Sequence, residues 1–98
     1  MNDILITFES TTAVFRAKLY MENNMPMLVD EAHIVALPIE LTNSCYGNGL
    51  SMKITDYDLS RLYKGLKDSE IAFKHFWSKD KENVWAIIDK TIEKKGKK

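Results

Sequence analysis

A single cysteine, Cys45, stands among 98 residues, so the chain has no internal disulfide to brace it. A lone thiol in so small a domain points to a reducing compartment and a cytoplasmic location. Long apolar runs are missing too: nothing approaches the roughly 20 residues that span a bilayer, and the acidic start Met1-Asn2-Asp3 is not the basic opening of a secretory signal. The two histidines, His33 and His75, stand in no spacing used by zinc ligands, so no metal site is expected. Gly47-Asn48-Gly49 offers only two glycines, and the residues after Gly49 read as a strand instead of a helix, which excludes a phosphate-cradling loop and leaves no cofactor motif. Net charge is zero, which argues against a polyanion such as nucleic acid as partner.

What is present fits one ordinary globular domain. Hydrophobic residues make up 45% and charged residues 29%, too apolar for a disordered chain. Charge is unevenly spread: residues 1–60 carry 3 basic and 8 acidic groups, residues 61–98 carry 11 and 6. Such a split either guides self-association or simply reflects solvated faces and a basic tail.

The periodicity alternates between strand and helix. Ile4, Ile6 and Phe8 alternate with Leu5 and Thr7 and predict a first strand over Asp3–Glu9. Ser10-Thr11-Thr12 supplies caps for a helix with Ala13, Val14, Ala17, Tyr20 and Met21 on one side, ending near Asn23-Asn24 ahead of Pro26. Pro26-Met27-Leu28-Val29 reads as a second strand whose apolar character resumes at Ile34–Leu37. Leu50-Ser51-Met52-Lys53-Ile54, with apolar even positions, reads as a third. Thr55 caps a second helix that has Asp56 and Asp58 in its first turn and Leu59, Leu62, Tyr63 and Leu66 on one face. A fourth strand over Glu70–Trp77 is expected, with Ile71, Phe73 and His75 opposite Ala72, Lys74 and Phe76. A third helix is expected over Lys79–Lys95, with Val84, Ile87, Ile88 and Thr91 inward. The order β-α-β-β-α-β, with an extra C-terminal helix, predicts an α+β fold of the ferredoxin-like sandwich kind: one domain over residues 1–93 and a frayed basic tail over 94–98.

Chemistry concentrates at Cys45. Thr42-Asn43-Ser44-Cys45-Tyr46-Gly47-Asn48-Gly49 is a polar, turn-forming stretch between two strands, whereas structural cysteines sit more often in apolar runs. A thiol there is either accessible, with its pKa lowered by backbone N–H groups or a helix start, or an inert filler beneath the loop. Cys45 is therefore the candidate reactive residue, and Ser44, Tyr46, Gly47 and Gly49 around it are candidate binding residues. Phe73, Phe76, Trp77 and Trp85, interleaved with Lys74, Lys79 and Lys81, make either a stacking surface or two packed faces, packing being the simpler use of the rings. Trp77, beside Ser78, is the ring expected to be exposed, and an exposed Trp marks a protein interface. Asp30-Glu31 and the pair Asp56, Asp58 read as a solvated turn and a helix start.

Over residues 1 to about 55 the chain resembles the small domain-of-unknown-function family labelled selenium/sulfur carrier protein-like. Leu5-Ile6-Thr7-Phe8-Glu9-Ser10-Thr11 matches an opening strand ending in a Ser or Thr pair. Pro38, Glu40, Ser44 and Cys45 match a Pro-Arg-Glu-x-Ser-Ser-Cys-Gly-like stretch, with Gly47 or Gly49 near the family glycine. Ile39 stands where a basic residue is usual, and Tyr46 separates Cys45 from the first glycine. The resemblance implies a carrier in which Cys45 accepts a terminal sulfur or selenium atom and passes it to a protein partner by thiol exchange. No acid/base pair accompanies the thiol, so an enzyme acting alone is not expected. The alternative is a non-catalytic binding or inhibitor domain acting through its surface, as a homodimer formed by adding a sheet edge, with Cys45 incidental.

Overall fold

In a computed structural model that describes residues 2–37 and 48–96, strand β1 (Asn2–Phe8) leads into helix α1 (Thr11–Asn24) and the single turn α2 (Pro26–Val29). Strands β2 (His33–Ala36) and β3 (Asn48–Ile54), helix α3 (Asp56–Asp68), strands β4 (Phe73–Lys79) and β5 (Trp85–Ile87), and helix α4 (Asp89–Gly96) come next. The strands form one sheet in the order β2-β3-β1-β4-β5, and every pairing is antiparallel. The fold class is α+β, as the periodicity predicts.

The capping chemistry sets the helix starts. Ser10 accepts the Ala13 N–H at 3.2 Å, and Thr55 Oγ1 accepts the Asp58 N–H at 3.2 Å. Both helices then bury the expected faces, Ala13, Val14, Ala17 and Met21 on α1, and Leu59, Leu62, Tyr63 and Leu66 on α3. Gly65 lets them approach, because a Cβ there would run into the phenol of Tyr20. One core takes Ile4, Ile6 and Phe8 of β1, Leu50, Met52 and Ile54 of β3, Phe76 of β4 and the buried residues of all four helices, including Leu28 of α2 and Ile92 of α4. Fully burying a side chain such as Phe76 contributes about 1.5–3 kcal/mol. Among the described residues, no helix is long and apolar enough to cross a membrane.

Three expectations are corrected. Pro26–Val29 is a helical turn and not a strand. Proline at the first helical position lacks only an N–H that would be unpaired anyway, and a four-residue apolar run carries no period to tell strand from helix. The span Lys79–Lys95 is not one helix: β4 runs on to Lys79, a turn intervenes, β5 pairs back, and α4 starts at Asp89. Asp80 makes that turn, its carboxylate accepting the N–H groups of Glu82 at 2.8 Å and Val84 at 2.9 Å, while Asn83 sits at φ 68°. The fourth strand also departs from simple alternation. Thr7 pairs with His75 but Phe8 pairs with Phe73, so Lys74 is an extra, bulged residue. The bulge resets the phase and turns both Phe73 and Phe76 to the helices. There they and Tyr63 form an edge-to-face triad with centroids 5.2–5.5 Å apart. Helix α4 continues to Gly96, inside the span read as a frayed tail.

Candidate functional site

Ser44, Cys45, Tyr46 and Gly47, with Pro38 and Glu40 of the carrier-like motif, lie outside the described residues. Gly49 and Trp77 lie within them, and the fold brings these two onto one face. Gly49 pairs with Thr7 on one side of β1, while Trp77 pairs with Leu5 on the other. This is the sheet face away from the shared helical core.

Register arranges that face in three rows across the strands. The row nearest the β2–β3 connection is Val35, Gly49, Thr7 and His75. The middle row is His33, Ser51, Leu5, Trp77 and Ile87. In the last row Lys53 pairs with Asp3 and Lys79 with Trp85; since Ile4 pairs with Ser78, one further step of register sets Lys79 beside Asp3.

The first row is held by a saturated hydroxyl. Thr7 is buried, and its Oγ1 accepts the Trp77 indole N–H at 3.1 Å and the His75 backbone N–H at 3.2 Å while donating to the His75 carbonyl at 3.3 Å. Trp77, expected to be exposed, is half-buried with its one polar atom satisfied inside the chain. Gly49 is fixed by packing. A Cβ there would lie 2.7 Å from Leu37 Cδ2, 2.8 Å from Leu5 Cδ1 and 3.1 Å from the Ile6 carbonyl oxygen.

His75 is a residue that the sequence places only on the fourth strand and outside any zinc-ligand spacing. Its Nδ1 lies 3.4 Å from Asp89 Oδ2, and its ring meets the Trp77 ring edge-on at 6.0 Å. The other Asp89 oxygen accepts the Phe76 N–H at 2.8 Å, and the Ile88 N–H is donated to the Phe76 carbonyl at 2.9 Å. Asp89 thus closes the edge of β4 where β5 stops and presents a carboxylate to His75. Nothing in the sequence pointed to this, since Asp89 falls in the middle of the helix expected over Lys79–Lys95.

The acidic pair Asp56, Asp58 takes the role its pattern predicted. Asp58 sits 3.6 Å from Arg61, and Asp56 accepts from Asn2 at 2.7 Å, both at the start of α3. No group of three or more potential metal ligands occurs among the described residues. The aromatic cluster divides: Phe73 and Phe76 are core rings, while Trp77 and Trp85 lie on the far sheet face, with Lys79 Nζ 5.1 Å from the Trp85 ring centre. At the last row the face carries a shallow groove of about 320 Å³ bordered by Asp3, His33, Ser51, Lys53, Lys79 and Trp85. Lys53, Asp3 and Lys79 alternate in sign there.

The β2–β3 connection leaves Ala36 and returns at Asn48, which are register partners. Helix α1 begins at this same end of the sheet, since β1 delivers Thr7 beside Gly49 and Ser10 caps the helix two residues after Phe8. Comparison of the chain with protein-family models, with curated proteins and with solved structures finds no match.

Proposed function

We propose that this chain is a small carrier domain of ferredoxin-like topology in which the Cys45 thiol accepts a terminal sulfur or selenium atom and hands it to a protein partner. The topology is supported by the order β2-β3-β1-β4 with α1 and α3 as crossovers, the split βαβ arrangement, to which β5 and α4 are added. The observation that supports the functional reading is that Ala36 and Asn48, which flank Cys45 in the sequence, are register partners at the end of the sheet where α1 starts. The positive end of a helix dipole favours a thiolate in its vicinity. The likeness of Pro38, Glu40, Ser44 and Cys45 to the carrier-like motif supports the same reading.

The transfer needs no external oxidant. The Cys45 thiolate attacks the terminal sulfur of a donor persulfide, R–S–SH. The donor S–S bond breaks, R–S⁻ leaves and takes a proton from solvent, and Cys45 becomes a persulfide. A donor with terminal selenium exchanges in the same way, and the acceptor's thiolate reverses the step.

Iodoacetamide labelling of the native protein across pH, with Cys45→Ala as blank, tests this. Rapid labelling with a midpoint well below about 8.5, the free-thiol value, and a mass gain of one sulfur at Cys45 after incubation with a persulfide donor are the expected results. Labelling that waits for denaturation defeats the carrier reading. A surface-acting binding domain then takes its place, a reading favoured by Phe15 and Leu19, one turn apart on α1 and more than half exposed at 58% and 56%.

A further inference from the structure

Strand β5 closes the sheet on the side opposite β2 and pairs with β4 alone. We propose that its outer edge binds an extended, acidic peptide segment of a protein partner, which joins the sheet as a further antiparallel strand. The inference goes beyond the carrier reading and does not depend on Cys45.

The phase of the β4–β5 ladder determines which backbone groups face outward. Ile88 donates its N–H to the Phe76 carbonyl at 2.9 Å, and Asp80 donates to the Val84 carbonyl at 3.0 Å. Bonded and non-bonded pairs alternate in an antiparallel ladder. Ala86, opposite Ser78, lies midway between those two bonds, so Val84, Ala86 and Ile88 face β4 with their amides. Trp85 and Ile87 therefore turn both N–H and C=O to the outer edge, where no described residue bonds to them. An antiparallel strand laid against that edge satisfies all of these groups at once.

The side chains suit such a pairing. Trp85-Ala86-Ile87 holds none of the lysine, proline or bulge that keeps edge strands from pairing, and Val84 and Ile87 are 54% and 50% exposed. Trp85 and Ile87 lie on the face away from the helical core, so the incoming residues opposite them meet an indole and an aliphatic chain. Apolar, β-branched residues fit there.

Charge selects the kind of strand. Residues 79–98 carry 7 basic and 4 acidic groups. Lys81 precedes β5, and Lys90 and Lys94 follow it; all three are exposed, and among the described residues none makes an ion pair. The carboxylates nearby are engaged within the chain. Asp80 accepts the Glu82 and Val84 N–H groups, Asp89 accepts the Phe76 N–H and faces His75, and Glu93 accepts from Tyr63 and pairs with Lys67. Glu82 alone is left against the three lysines, so acidic residues flanking the apolar pair are favoured. Because β5 is three residues long, the contact is brief, and a dissociation constant on the order of 1 mM is expected.

Amide NMR of the full chain, titrated to about 5 mM with the capped peptide glutamate-valine-threonine-valine-glutamate, is the test. The Trp85 and Ile87 amides should shift saturably and exchange with solvent about sixfold more slowly, as that occupancy requires. The Ala86 amide, already turned to β4, should change less. The same peptide N-methylated at both valines cannot donate to the edge and should leave Trp85 and Ile87 unmoved. Lysines in place of the glutamates should weaken binding about tenfold. Shifts centred away from β5, or equal binding by the N-methylated or the lysine peptide, overturn the proposal. So do Trp85 and Ile87 shifts that follow protein concentration alone, which would give the edge to a second copy.

Discussion

The indole N–H of Trp77 is donated to Oγ1 of Thr7 at 3.1 Å, joining the central strand β1 to β4 on the face away from the helical core. The hydroxyl has two lone pairs and one proton, and all are used. Trp77 and the His75 backbone occupy the lone pairs, and the proton goes to the His75 carbonyl.

Replacing Thr7 by Val keeps the shape and removes the acceptor from two donors. The loss should be about 2 kcal/mol, the usual penalty for stranding buried donors, read as a lower urea midpoint, with a red shift of tryptophan emission as Trp77 loosens. Thr7→Ser keeps the oxygen and should retain most of the stability. Equal stability for Thr7→Val and wild type would mean that the hydroxyl does not hold the ring.

Gly49 makes a second, steric prediction. Its missing side chain is space already occupied by Leu37, Leu5 and the Ile6 carbonyl, and one of those three is rigid backbone. Gly49→Ala should therefore destabilise by about 1–3 kcal/mol, as overpacking does. If contact with Leu37 is the cause, adding Leu37→Ala should recover part of the loss, so that the double change costs less than the sum of the singles in urea unfolding. Strict additivity would rule that contact out.

How much of this was legible in the sequence depended on how local the signal was. The caps Ser10 and Thr55 and the stripe Leu59, Leu62, Tyr63, Leu66 are written within a few residues of one another, and α1 and α3 appear where they predict. Helix α2 was misread because Pro26–Val29 is too short to show a period, and β5 because Asp80 and Asn83 interrupt what otherwise looks like a long helical pattern. The phase of β4 was hidden by the bulge at Lys74, which is a property of its pairing with β1 and of nothing in its own residues. At the candidate site the sequence points to Gly49 as a binding residue and to Trp77 as an exposed ring, whereas packing fixes Gly49 and Trp77 is half-buried. That Thr7 binds Trp77, or that Asp89 faces His75, depends on strands brought together from distant parts of the chain.

The link between α3 and α4 gives a prediction in pH. Tyr63 donates its hydroxyl to Glu93 Oε1 at 2.6 Å, and Lys67 Nζ lies 3.4 Å from the same oxygen. Burial pushes the Tyr63 phenol well above the ordinary tyrosine range, and the hydrogen bond to Glu93, the charge of Glu93 and that of Asp89 push it further the same way. The folded chain thus keeps this proton when the unfolded chain, with a phenol of about 10, has lost it. Above that value the native state binds more protons, so stability present at lower pH declines as pH rises toward the folded pKa. Tyr63→Phe should lose about 1 kcal/mol near neutral pH with the hydrogen bond. Its unfolding free energy should then fall less steeply than that of wild type above about pH 10. Urea unfolding of both proteins from neutral to strongly alkaline pH measures the two slopes, and parallel slopes would show that Tyr63 does not carry the alkaline loss.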